Sequence, residues 1–178
     1  QDNAQVILSY SDNEKRSTAY DLVAVKKGDK MVNMDSQAPN AVFRQWIKKQ
    51  LPTAVVKREI TYKDSRFDCY IETETDKIFV EVKGVTLEND GVVSFPDAPT
   101  ERGVKHLEEL ILARQQGYSC KIAFVIQMEG IFEVRGNANT HPEFAATLQK
   151  AKEAGVEVLF LCCRVMPDEV FVEKAIIG

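Results

Sequence analysis

A chain of 178 residues, 44% apolar and 28% charged, suits one compact domain, or one domain with a short appendage, whose core needs no disulfide or structural metal. Its net charge of -4 excludes a surface coated with positive charge for nucleic acid, and leaves room for a local basic groove. No apolar run is long enough to predict a transmembrane helix.

Residues 6–11 (VILSYS) and 20–28 (YDLVAVKKG) predict strands, the second closed by a turn at Gly28 and Asp29. MVNMDSQ follows as a short strand and its exit. Pro39 suits the first turn of a helix, and residues 39–51 set Val42, Phe43, Trp46 and Ile47 on one stripe, with Gln50 at its margin. Trp46 is read as core, and Pro52 ends the helix. Strands are expected at 54–62, 65–72, 77–85 and 91–95. The loop FPDAPTERG leads to a helix over 101–116, with Thr100 as N-cap and Gly117 as stop. CKIAFVIQM (120–128) is nearly all apolar, the mark of a strand covered on both faces. A polar loop over 129–141, a helix over 141–155, a buried strand over 156–165 and an alternating strand, DEVFVEKAI, complete the chain. This order predicts an α/β fold with a mixed central sheet flanked by helices.

The four cysteines, Cys69, Cys120, Cys162 and Cys163, lack metal-binding spacing and read as buried free thiols in a reducing compartment. The N-terminal residues lack a signal-peptide pattern, so the expected location is the cytoplasm, with no membrane partner. The two histidines, His106 and His141, are assigned capping or surface positions.

The chemistry concentrates in one hairpin. If 65–72 and 77–84 pair about a centre between Glu74 and Thr75, Phe67, Cys69 and Ile71 face Val82, Val80 and Ile78. The other face then sets Arg66 against Lys83, Asp68 against Glu81 and Tyr70 against Phe79. Opposed carboxylates repel, and a divalent cation offsets the repulsion. Carboxylate oxygens are hard ligands suited to Mg2+ or Mn2+. Such an ion activates water and stabilises phosphoryl charge, with Lys83 beside it. A solvated charge cluster on an exposed sheet face is the plain alternative.

Asp68, followed a dozen residues later by Glu81-Val82-Lys83 on a strand, resembles the PD-(D/E)xK nuclease signature. The stretches LSYSDNEKRSTAYDLVAV, DSQAPNAV, SRFDCYIE, VEVKGVTLENDGVVSFPDAPTERGVKHLEEL and EAGVEVLFLCCRV together resemble the sugar fermentation stimulation protein family, from about residue 6 onward. The resemblance implies a restriction-endonuclease-like domain over 36–178. Residues 1–35 are then a remnant β segment leading from an OB-like N-terminal domain that is largely absent. It implies Asp68, Glu81 and Lys83 as catalytic residues, with Asp68 and Glu81 on Mg2+ or Mn2+. Asp97, Glu101 and Arg102 match the family's loop block, and Arg66, Lys105 and Gln127 are weaker candidates for substrate contact. The helix over 39–51 carries no glutamate, its nearest acidic neighbours being Asp35 and Glu59, which favours one metal over two. The implied partner is DNA bound without sequence preference, and pairing of such nucleases to cut both strands makes a homodimer an expectation. Three functions stay open: a metal-dependent nuclease, a non-catalytic DNA-binding regulator of sugar (maltose) metabolism, and an interaction domain whose carboxylates merely hold an ion.

Overall fold

The computed structural model describes residues 3–63 and 65–178, so the first two residues of the expected N-terminal segment lie outside it. Strands β1 (Val6–Tyr10), β2 (Tyr20–Lys27) and β3 (Lys30–Asn33) form a small antiparallel sheet in chain order. Helix α1 (Ala38–Gln50) follows, with Pro39 in its first turn as expected. Next come β4 (Val55–Tyr62), β5 (Ser65–Glu72) and β6 (Lys77–Val85), then the short β7 (Glu88–Asn89) and β8 (Val92–Phe95). Helix α2 (Glu101–Gln115), β9 (Ser119–Ile126), β10 (Glu133–Gly136), α3 (Pro142–Glu153), β11 (Glu157–Val165) and β12 (Val170–Ile177) complete the chain.

The central sheet has six strands in the order β12-β11-β9-β6-β5-β4. It is mixed: β6, β9 and β11 run parallel, while β4, β5 and β12 are antiparallel to their neighbours. Successive crossovers from β6 through α2 to β9, and from β9 through α3 to β11, step the same way along the sheet. Right-handed connections then put α2 and α3 on one face. Val104, Leu107 and Leu110 of α2 and Phe144 of α3 accordingly share a core with Phe79, Ile122, Phe124 and Ile126. Helix α1 covers the other face, where Val42, Phe43 and Ile47 pack on Ile71, Val80, Val82 and Val125. Trp46 packs against that second core, as its place on the helical stripe predicts.

The predicted helix ends hold. Thr100 Oγ1 accepts the Gly103 N–H at 3.0 Å, and Gly117 follows α2 at φ +92°, a left-handed conformation that stops the helix. The stretch 129–141 is not all loop: β10 pairs parallel with β8, and both join β7 in a third small sheet. Glu-Val-Arg-Gly carries no apolar period, so only the partner strand makes it extended. Among the described residues no helix is long and apolar enough to cross a membrane.

Candidate functional site

The β5–β6 ladder has the expected register, pairing Tyr70 with Phe79 and Cys69 with Val80, but it stops there. Asp68 and Glu81 are not a ladder pair. Instead the Asp68 side chain takes over, its Oδ2 accepting the Val82 N–H at 2.9 Å. On the far side of β5, Asp68 stands opposite Glu59, which adopts φ +49° and interrupts the β4–β5 ladder between Arg58↔Cys69 and Ile60↔Phe67. Both strands change faces at this break. Val56, Cys69 and Ile71 belong to the α1-side core, whereas Ile60, Tyr62 and Phe67 belong to the α2-side core. The expectation that Phe67 shares a face with Cys69 is therefore corrected: alternation by two is lost where the backbone turns left-handed.

Glu81 and Lys83 do share a face of β6, as strand geometry requires, and it is the α2 face occupied by Phe79 and Val85. Glu81 is 2% exposed. Its Oε1 receives Lys83 Nζ at 2.6 Å and is also bonded to His106 Nδ1 from α2. On the other side of the imidazole, Arg102 Nε lies 3.4 Å from His106 Nε2. Because an arginine N–H can only donate, this network places the imidazole proton on Nδ1, directed at Glu81. Burial opposes the charge on Glu81, but the His106 and Lys83 contacts outweigh it and hold the carboxyl below its ordinary value. Asp68 moves the other way: burial, then the nearby Glu81 charge, raises it, against the bonds from Val82 and Asn40 and the charge of Lys83.

Helix α1 supplies no carboxylate to this site, but it supplies Asn40, whose Nδ2 donates to Asp68 Oδ1 at 3.2 Å. Close approach of the helix depends on Gly84, immediately after Lys83, where an added Cβ would stand 2.8 Å from Pro39 Cγ. Gln127 lies nearby; its Nε2 donates to the Asn33 carbonyl at 3.0 Å and ties β3 to the end of β9. Arg102 joins the network through His106. Arg66 is exposed and paired with Glu59 at 3.6 Å, and Lys105 approaches Glu109 at 3.9 Å. Asp97 and Glu101 are exposed around the start of α2. His141 precedes α3 as expected, its Nδ1 taking the Thr100 N–H at 3.2 Å, but the surface position expected of His106 is wrong, since it is 5% exposed against Glu81. Asn40 and His106 are the two site residues that sequence reasoning missed. The only available signal was a polar residue flanking an otherwise apolar helix face.

Three buried oxygens around this site have no hydrogen-bond partner: Glu81 Oε2, Asn40 Oδ1 and Gln127 Oε1. Such atoms are costly to bury unless something binds them. Among the described residues no group of three or more His, Cys, Asp or Glu forms a complete ligand set. Asp68 and Glu81 nevertheless fit a hard cation of the Mg2+ type, which takes one or two carboxylates and keeps several waters.

Residues 37–169 match the family described as "Sugar fermentation stimulation protein RE domain". A sugar fermentation stimulation protein homolog of Clostridium beijerinckii is 51% identical over 171 residues, covering 94% of this chain and 76% of that protein. One from Desulfitobacterium hafniense is 50% identical over 167 residues, covering 93% and 73%. The solved structure of Pyrococcus furiosus SfsA in complex with Ca2+ superposes with a TM-score of 0.87 at 26% identity, over 96% of this chain and 76% of that one.

Proposed function

The chain belongs to the sugar fermentation stimulation protein family, and we propose that its Asp68, Glu81 and Lys83 form a divalent-metal-dependent nuclease centre hydrolysing DNA phosphodiester bonds. The observation that carries this reading is Glu81: a carboxylate buried on a strand near enough for its charge to act on Asp68, fixed through Oε1 by Lys83 and His106, with Oε2 buried and unbonded. Asp68 and Glu81 are the residues that would hold Mg2+ or Mn2+. The ion, when bound, supplies charge for the phosphoryl group and a lowered pKa for water. A Ca2+ complex of a relative with the same fold supports a divalent cation in this family.

The chain's own groups then have distinct tasks. Lys83 is paired with Glu81 at 2.6 Å, where it orients the attacking water and faces phosphoryl charge. His106, backed by Arg102, restrains Glu81 so that Oε2 stays turned to the site. Asn40 does the same for Asp68. Water adds to phosphorus and releases a proton to solvent as the bond to the leaving sugar oxygen breaks, and that oxygen takes up a proton from solvent.

The test is cleavage of labelled single- and double-stranded DNA with Mg2+ or Mn2+. Wild type should cut, Glu81→Gln and Lys83→Ala should lose at least about a hundredfold in rate, and His106→Ala should bind Mn2+ about ten- to a hundredfold more weakly. Equal cutting by wild type and Glu81→Gln would remove the site from the reaction. Binding without any cutting would leave the non-catalytic DNA-binding reading in its place.

A further inference from the structure

Six of the eight arginines in the chain have a partner within it: Arg16, Arg66, Arg135 and Arg164 pair with carboxylates, Arg102 with His106, and Arg114 with the Tyr118 carbonyl. Arg44 and Arg58 have neither an ion pair nor a hydrogen bond among the described residues. Arg44 is only partly exposed, so its charge is partly withdrawn from water with no counterion, an expense that a bound anion would remove.

These two arginines stand together. Arg58 is the cross-strand neighbour of Cys69, and such neighbours share a sheet face. Cys69 lies on the α1 side, in the core under that helix. Burial pushes the Cys69 thiol up to about 11, and Arg44 is the positive charge close enough to pull against it. Arg58 by its place in the ladder and Arg44 by its charge thus both border Cys69, the immediate neighbour of Asp68. Along the helix, Arg44 lies one turn beyond Asn40, which holds Asp68, and exposed Lys48 lies one turn beyond Arg44.

We infer that Arg44 and Arg58, extended by Lys48, form a phosphate-binding track that leads a DNA strand along the α1 side of the sheet to Asp68. The inference rests on the nuclease reading above. Guanidinium forks match phosphate oxygens, and contacts confined to the backbone position a strand without selecting its sequence. The overall negative charge of the molecule fits a partner gripped along one narrow strip rather than over a broad surface.

The experiment is binding of a fluorescent DNA duplex in EDTA across a series of salt concentrations. Wild type is compared with Arg44→Gln, Arg58→Gln, the double variant, and Lys152→Gln on the exposed face of α3 as a control for net charge. Each arginine variant should lower the slope of log affinity against log salt by about one, with the double variant additive and Lys152→Gln unchanged. Thermal midpoints reporting folded protein accompany every variant. A full slope in the folded double variant, or an equal loss in Lys152→Gln, overturns the track. Binding by this track without cleavage sinks the nuclease reading alone. Cleavage with the full slope in the double variant sinks the track alone, and absence of DNA binding by wild type sinks both.

Discussion

Asp68 and Glu81 differ because their partners differ. Glu81 is met by a lysine and by an imidazole N–H, so its ionised form is favoured in the fold. Asp68 receives only an amide and a backbone N–H, and it feels burial and the Glu81 charge. A carboxyl raised on folding binds its proton more readily in the native state. Its ionised form thus costs stability once the pH rises past the raised value, and costs nothing below the unfolded value. Asp68→Asn should therefore raise the thermal midpoint of the metal-free protein at neutral pH, where its carbonyl can still accept from Val82. The gain should shrink as the pH falls from the raised value toward the ordinary carboxylate value, and be gone below it. Scanning calorimetry in EDTA measures this, and a lower midpoint for the variant at neutral pH would contradict it. The same substitution should abolish cleavage, separating stability from activity at one residue.

At the level of elements, the meeting of α1 with the end of β6 positions the site, and Gly84 permits it. Gly84→Ala sets a methyl against the rigid Pro39 ring, so the helix must retreat. The expected cost is about 1–3 kcal/mol, read as a lowered urea midpoint, with weaker Mn2+ binding as Asn40 leaves Asp68. An unchanged midpoint and affinity would show that the helix yields freely. Most elements were legible from apolar pattern and punctuation: the stripe over 39–51, the capping Thr100, and the two buried strands. The hairpin register was legible as far as Cys69, because matching apolar residues determine it up to that point. Beyond it, the left-handed residue at Glu59 has no sequence mark, so the switch of faces was hidden. His106 was hidden for a related reason. Only the docking of α2 on β6 brings it to Glu81, a contact across 25 positions of sequence.

For the molecule as a whole, the small N-terminal sheet must be held to the rest, and Glu88 is one clasp. Lys27 at 2.6 Å, the Gly91 N–H at 2.6 Å and Lys30 at 3.1 Å converge on its carboxylate and push it down to about 2. The stabilisation is complete above the unfolded glutamate value and is lost as the pH falls from there toward about 2. Glu88→Gln should cost about 1–3 kcal/mol at neutral pH, and thermal midpoints of the two proteins should converge in strong acid. A constant gap across that range would rule the clasp out. The break opposite Asp68 acts on the scale of the whole molecule as well. Strand β4 is a free edge of the six-stranded sheet, the kind of rim on which foreign strands grow. Its left-handed Glu59 divides that rim into two pieces, residues 55–58 and 60–62, facing different ways. The geometry that frees Asp68 for chemistry thus leaves an incoming strand no continuous template, and guards the concentrated protein against fibrous aggregation from that side.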